Sequence, residues 1–282
     1  MDQTALKPVS AGPVPCKICE SPSPLYGLVD FHKSCEDGRS LRLPLSGVSI
    51  YYRRCPTCGF LFTDAFDDWS ADQFKSHIYN DDYHHVDPDY RTGRPSMNAK
   101  NVLDLFGAIR SDMRVLDYGG GNDMLCSILR RSGFAAAVTY DPMVPEFAQR
   151  PPGKFDLVTS FETLEHLPDP MAGISAIIES VAEPGLVFYS TLVQPENLGE
   201  HGGLAWWYVG PRNGHISLFS KKALAWAWGR RGYKTVTLGN KGVIHLAFRT
   251  LPSFLAHLQG KADSILTAPN QVRVPDAAAH AA

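Results

Sequence analysis

No stretch of this chain approaches the roughly 20 consecutive apolar residues that a membrane-crossing helix needs. The start, Met1 to Pro15, also lacks the charged-then-apolar order of a secretory signal. A soluble, cytoplasmic protein is therefore expected. An excess of one charge sign is missing as well. Lys and Arg number 27 against 29 Asp and Glu, for a net charge of −2, and the basic residues are scattered, so the composition shows no footprint for a phosphate backbone. What the chain does contain is 44% hydrophobic residues over 282 positions, enough for one ordinary α/β core plus a small satellite.

Cysteine is sparse, and its placement matters more than its number. Four of the six cysteines form two pairs, Cys16-Lys-Ile-Cys19 and Cys55-Pro-Thr-Cys58-Gly59, leaving Cys35 and Cys126 over. In a reducing compartment such pairs favour a metal over disulfides. Two knuckles 36 positions apart, counted from Cys19 to Cys55, suit a tetrahedral four-cysteine zinc site, with Cys35 or His32 as substitute ligands. A redox CxxC would head a helix in a βαβ unit, and neither pair does. Between the pairs lie short β-like runs such as 47–53, too little apolar material for an independent core, so a metal would supply the missing stability. Arg39, Arg42, Arg53 and Arg54 give this module a local positive bias, which is read as a solvated face.

Further along, Val102, Leu105, Phe106 and Ile109 keep the spacing of an amphipathic helix. Strand 113–118, helix 122–132, strands 135–140 and 155–160, helix 170–182 and strand 185–192 then alternate, which implies a parallel sheet flanked by helices. Ile174, Ile177, Ile178 and Val181 are read as the buried stripe of the 170–182 helix. A helix capped by Ser220 and running through Trp228 precedes a closing β pair, 233–239 and 243–249. The expected organisation is a disordered leader over 1–14, a zinc module over 15–64, a linker or lid over 65–94, a catalytic domain over 95–250, and a C-terminal helix and disordered tail over 251–282.

The strand ending in Asp117 passes through Gly119, Gly120 and Gly121 into a helix, so backbone N–H groups can face a nucleotide-like ligand at close range. The dinucleotide fingerprint wants a third glycine at position 124, where Met stands. Asp141, after the second strand, is placed to accept both ribose hydroxyls. With Val-Leu-Asp-Tyr-Gly-Gly-Gly at 115–121, Tyr140-Asp141-Pro142, Phe155-Asp156-Leu157-Val158, the 164–170 stretch Leu-Glu-His-Leu-Pro-Asp-Pro and the 215–224 run, the chain resembles the class I S-adenosylmethionine-dependent methyltransferases over about 95–250. The resemblance implies a Rossmann-like sheet of seven strands beside the zinc-ribbon-like module. It implies Asp117, Gly119, Gly120 and Gly121 at the methionine end of the cofactor, Asp141 at its ribose, and the fourth strand ending, at Phe161, against the sulfonium. The chain departs from that pattern between Met143 and Lys154, a short segment with three prolines, where the third strand and its adenine-side Asp are not found.

Phe161-Glu162-Thr-Leu-Glu165-His166 follows the fourth strand, and a turn there would bring Glu162, Glu165 and His166 to one side. With His215 later in the chain, these are the candidate catalytic residues. The spacing is similar to that of the ubiquinone-pathway O-methyltransferases and the small-RNA 2′-O-methyltransferases, which implies a divalent ion such as Mg2+ or Mn2+. His166 as a metal-free base and a purely structural role stay open beside it. Trp206 and Trp207 are read as an acceptor wall or as packing anchors. Tyr83 and His84 lie in a stretch whose tyrosines, after a four-cysteine module, resemble the zinc-bearing sugar C-methyltransferases of deoxysugar pathways. The expectation is methyl transfer from S-adenosylmethionine to a small-molecule or sugar acceptor, with oxygen as the expected target atom. A macromolecular methyltransferase guided by the zinc module and a non-catalytic binding protein are the alternatives.

Overall fold

A computed structural model describes residues 12–35, 43–109 and 112–258. In chain order its strands are β1 (Val14–Pro15), β2 (Pro22–Ser23), β3 (Leu25–Asp30), β4 (Ser49–Arg54), β5 (Leu61–Phe62), β6 (Arg114–Tyr118), β7 (Ala136–Tyr140), β8 (Phe155–Ser160), β9 (Val181–Ser190), β10 (Ser217–Leu218), β11 (Lys234–Leu238) and β12 (Ile244–Phe248). The α-helices are α1 (Ala71–His77), α2 (Tyr83–Val86), α3 (Gly93–Phe106), α4 (Met124–Arg131), α5 (Pro170–Ile178) and α6 (Lys221–Gly229). The chain divides into two compact units. The first gathers 1–88, 165–171 and 192–224, and the second holds 89–164, 172–191 and 225–282.

The first unit is built on an antiparallel sheet in the order β10-β5-β4-β3, beside the small β1-β2 pair. Its interior is aromatic. Phe66 meets Trp69 edge-on with ring centroids 4.6 Å apart, and Phe60 lies against Phe62 and Phe219 at 5.3 and 5.0 Å. Helix α1 starts on a capping box, in which Ser70 accepts from the Gln73 backbone and the Gln73 side chain accepts from the Ser70 N–H. Arg53, expected on a solvated face, is fully buried, with Nε 3.5 Å from Asp64 and Nη1 on the Gly12 carbonyl. β4 is a middle strand, and Arg53 alternates to the face opposite Ile50 and Tyr52, so the strand is buried on both faces at this point. Arg39 and Arg42 fall outside the described residues.

The second unit carries a six-stranded sheet in the order β11-β12-β9-β8-β6-β7. Strands β7, β6, β8 and β9 run parallel, and β12 and β11 close the edge antiparallel. Val115, Leu157, Leu186, Phe188 and Leu246 form one core with Val102 and Phe106 of α3 and Leu125 and Leu129 of α4. His245 of β12 is fully buried. Its Nε2 lies 2.9 Å from the Thr191 carbonyl, which can only accept, and its Nδ1 lies 2.9 Å from the Thr237 hydroxyl. Burial lowers its pKa to about 4.

Seven strands were expected and six are described. Between β7 and β8 the chain makes a 3-10 turn over Pro145–Phe147 in place of a strand, because the prolines of this segment cannot donate to a ladder. The helix expected over 170–182 stops at Ile178, and Val181 already belongs to β9. The pairing of β8 with β9 jumps from Phe155↔Val181 to Leu157↔Leu186, so 182–185 bulge out of register and accommodate Pro184 and Gly185. Residues 1–11 of the expected leader and everything after 258 lie outside the described residues. The last described element is a 3-10 helix, Ser253–Leu258.

Candidate active site

In the second unit, Asp117 ends its buried run on β6 with 3% exposure and accepts a 2.7 Å hydrogen bond from Thr159. Burial pushes its carboxyl up to about 7, and the charges of Asp141 and Asp123 add to this against the Thr159 bond. The chain then turns through Gly119 and Gly121, at φ of 74° and 61°. A Cβ on Gly120 would overlap the Asp117 carboxylate, so this turn is closed to any side chain there. Asp141 is pinned by both oxygens, one accepting from the Gly121 N–H at 2.9 Å and the other from the Met143 N–H at 2.8 Å. Each oxygen keeps a second lone pair for a ligand hydroxyl. Phe161 is 7% exposed, and its ring sits edge-on to Phe188 at 5.1 Å within the core.

Glu162 takes φ of 50°, a left-handed conformation that costs a non-glycine residue free energy. A reciprocal pair of bonds holds it there. Its N–H donates to Ser190 Oγ at 2.9 Å, and that hydroxyl donates to Glu162 Oε1 at 2.6 Å.

The first unit holds the other three candidate catalytic residues. Glu165, His166 and His215 bring one ligand atom each within 4.8 Å of one another. Glu165 is fully buried and accepts from the Tyr208 hydroxyl at 2.6 Å. His166 Nδ1 lies 3.1 Å from the Gly214 carbonyl, and His215 Nδ1 lies 2.9 Å from the Tyr208 carbonyl. A carbonyl only accepts, so Nδ1 is the donor in each of these two contacts. Gly214 makes the first of these contacts possible. Its φ is 82°, and a Cβ there would stand 3.0 Å from both His166 Nδ1 and the Tyr79 hydroxyl.

Three further residues around this cluster were not singled out for it by sequence reasoning. Tyr208 touches two members, packing its ring 4.2 Å from His215 while bonding Glu165. Cys35 places its sulfur 3.3 Å from His215 Nδ1, so it stands at the cluster and outside the four-cysteine group. Tyr79 lies edge-on to His166 at 6.1 Å. Tyr83 is buried and donates to the Asn213 carbonyl at 3.3 Å, whereas His84 is exposed and bonded to the Asp81 carbonyl. Trp206 is buried and Trp207 is half exposed against Tyr208.

Cys16, Cys19, Cys55 and Cys58 also bring their sulfurs within 4.8 Å of one another. The Cys16–Cys58 and Cys19–Cys55 separations are 3.6 and 3.4 Å, close to the edge of about 3.8 Å that a tetrahedron with Zn–S bonds of about 2.3 Å requires. The two knuckles repeat one backbone pattern. Cys16 donates to Ser21 and accepts from Glu20, just as Cys55 donates to Phe60 and accepts from Gly59. Glu20 and Gly59 take matching φ of 65° and 77°. Backbone N–H groups of Ile18 and Cys58 point at the Cys16 and Cys55 sulfurs. Four clustered sulfurs, two of their separations near a tetrahedral edge and two sulfurs with amide donors aimed at them, fit a structural zinc ion.

The methyltransferase-domain family matches residues 90–238, more than half of the chain. The protein belongs to that family. Its relatives include the ubiquinone biosynthesis O-methyltransferase of Neisseria meningitidis serogroup C, 32% identical over 124 residues that cover 39% of this chain and 52% of the relative. The enzyme of the same name from Ralstonia nicotianae is 33% identical over 102 residues, covering 28% and 43%. The chain thus spans about half the length of the curated relatives it matches. Among solved structures, magnesium protoporphyrin IX methyltransferase from Synechocystis with bound S-adenosylhomocysteine overlaps 66% of this chain and 97% of its own, at 18% identity and a TM-score of 0.43. An O-methyltransferase family protein from Burkholderia thailandensis overlaps 64% and 63%, at 13% identity and a TM-score of 0.48. No helix among the described residues is long and apolar enough to cross a membrane.

Proposed function

We propose that this protein transfers a methyl group from S-adenosylmethionine to an oxygen of a small-molecule or sugar acceptor. The observation that carries this reading is the Glu165–His166–His215 cluster, with both imidazoles fixed in the Nδ1–H form, in a chain of the methyltransferase-domain family. The curated relatives are named for O-methylation, which favours oxygen as the target atom.

S-adenosylmethionine, when bound, supplies an electrophilic methyl group on a sulfonium and leaves as S-adenosylhomocysteine. Asp117 and the turn at Gly119, Gly120 and Gly121 hold its methionine end, Asp141 holds its ribose, and Phe161 closes the apolar side. His166 takes the acceptor hydroxyl's proton as the oxygen attacks. Glu165 and His215 orient the imidazole, and Tyr208 fixes both of them. Alignment and exclusion of water supply the rest of the acceleration.

Asp117 gives the cofactor half a pH signature. A cationic ammonium beside this carboxyl favours its ionised form, so cofactor binding is strongest above the folded pKa of about 7 and weakens as pH falls through it. Between pH 7 and pH 6, where the cofactor's ammonium stays charged, titration calorimetry should show S-adenosylmethionine affinity falling by about fivefold. Affinity that is flat over this range would place the ammonium elsewhere.

The cluster also suits a divalent cation. One carboxylate and two imidazoles favour manganese or zinc over magnesium, and Glu162, which belongs to the second unit, has its Oε1 bonded to the Ser190 hydroxyl. Held by Glu165, His166 and His215, such an ion would lower the pKa of the acceptor hydroxyl.

The reading is tested by incubating the protein with S-adenosylmethionine and cell extract and measuring S-adenosylhomocysteine release before and after nuclease, protease and size filtration. Activity surviving in the filtrate supports a small acceptor. Activity lost on digestion moves the acceptor to RNA or protein, and cofactor binding with no turnover in any fraction leaves a binding protein.

A further inference from the structure

The first unit joins the cysteine knuckles to the residues that hold the acid–base cluster, although the sequence keeps them more than a hundred positions apart. Strand β5 begins three residues after Cys58 and pairs on one side with β4 and on the other with β10, which begins two residues after His215. The Thr63 N–H donates to the Ile216 carbonyl at 3.1 Å, and the Ile216 N–H donates to the Glu165 carbonyl at 2.9 Å. Ser217 Oγ donates to the Leu167 carbonyl at 2.6 Å. Lys17, inside the first knuckle, reaches the Thr63 and Pro168 carbonyls at 2.9 and 2.8 Å. At the second knuckle, the Cys58 carbonyl accepts from Ser220 Oγ at 2.5 Å, and the Gly59 carbonyl accepts from Gln194 Nε2 at 3.0 Å.

One of these links ends on a cluster residue itself. Tyr52, fully buried on β4 three residues before Cys55, donates its hydroxyl to the His215 carbonyl at 2.7 Å. A phenol this deeply buried retains its polar group only where the group is matched. Here the match fixes the peptide that carries the imidazole, and the ring is held again by the Tyr208 carbonyl at Nδ1. The bonds from 165–168 and from 215–218 run to the metal-bearing sheet, so the order of the knuckles sets the geometry of Glu165, His166 and His215.

We propose that the four-cysteine module is a positioning element for the acid–base cluster, and that Tyr52 is the positioning residue that couples the metal-bearing sheet to His215. This inference rests on the methyltransferase reading only for what the cluster does. The coupling itself is a property of the first unit. Metal loss then disorders the acid–base cluster while the cofactor-binding residues of the second unit keep their arrangement.

The test uses full-length, zinc-loaded protein labelled at its histidines and observes the imidazole nitrogens by NMR, with His245 of the second unit as internal reference. Tyr52→Phe removes one hydroxyl and keeps the ring. It should shift and broaden the His215 signals, leave His245 unmoved, and keep S-adenosylmethionine affinity within about twofold of wild type. Cys58→Ser, which removes a zinc ligand and no cluster residue, should carry both His166 and His215 to the averaged signals of solvent-exposed imidazoles. Unchanged His215 signals in Tyr52→Phe would overturn the role of Tyr52. Cluster signals indifferent to Cys58→Ser, or cofactor affinity collapsing together with them, would overturn the module as a positioning element. Wild-type protein that binds no S-adenosylmethionine would instead remove the methyltransferase reading and leave the histidine comparison standing.

Discussion

His166→Ala is expected to lower turnover by about 10²- to 10⁴-fold, the range that one positioned acid–base group contributes, with S-adenosylmethionine affinity unchanged. The residues proposed for the cofactor, Asp117, the glycine turn and Asp141, belong to the second unit, whereas His166 belongs to the first. Its loss should therefore appear in kcat with acceptor and not in cofactor binding. The direction follows from how the ring is held. With Nδ1 held on the Gly214 carbonyl, the ring is fixed in orientation, and alanine removes both that anchor and the imidazole. A rate within a few-fold of wild type would mean that alignment alone carries the reaction. Chelation separates the two roles of the cluster. If wild-type turnover falls with chelator and returns with manganese, His166 acts as a ligand; if it is indifferent, His166 acts as the base.

The second unit was readable because its signals are local. β6, the glycine turn and α4 lie within 114–131, and the strand runs and helix periods there are long enough to be told apart. The errors fall where local signals conflict. Ile174, Ile177 and Val181 keep a helical spacing, yet Val181 pairs with Phe155 as the start of β9, and short apolar runs fit either period. The first unit was far less legible. Its joining strands, Leu61–Phe62 and Ser217–Leu218, are two residues each, too short for any pattern. The pairs Tyr52–His215 and Cys35–His215 span 163 and 180 positions, and no local rule reaches that far. The candidate residues Glu165, His166 and His215 were visible as residue types. Tyr208, Cys35 and Tyr52, which hold them, were visible only once folded.

Cys58→Ser, or removal of zinc from wild type, should split thermal unfolding into two transitions, with the first unit melting well before the second. The argument is one of magnitude. A structural zinc site of four cysteines supplies apparent binding free energy of about 10–16 kcal/mol, as much as the whole folding stability of about 5–15 kcal/mol of an ordinary domain. The strands it anchors are short. β1, β2 and β5 are two residues each, and Cys16, Ile18, Cys55 and Cys58 are buried directly around the sulfurs. Without the ion, the close Cys16–Cys58 and Cys19–Cys55 contacts leave only weak thiol hydrogen bonds at the centre of the knuckles. Calorimetry with metal analysis decides the matter. One zinc per chain in wild type, none after Cys58→Ser, and a low-temperature transition that zinc reverses in the chelated wild type are the expected results. A single transition at the wild-type temperature in metal-free protein would mean that the four cysteines act as small buried apolar side chains, and that the aromatic interior around Phe60, Phe62 and Phe219 holds this sheet without an ion.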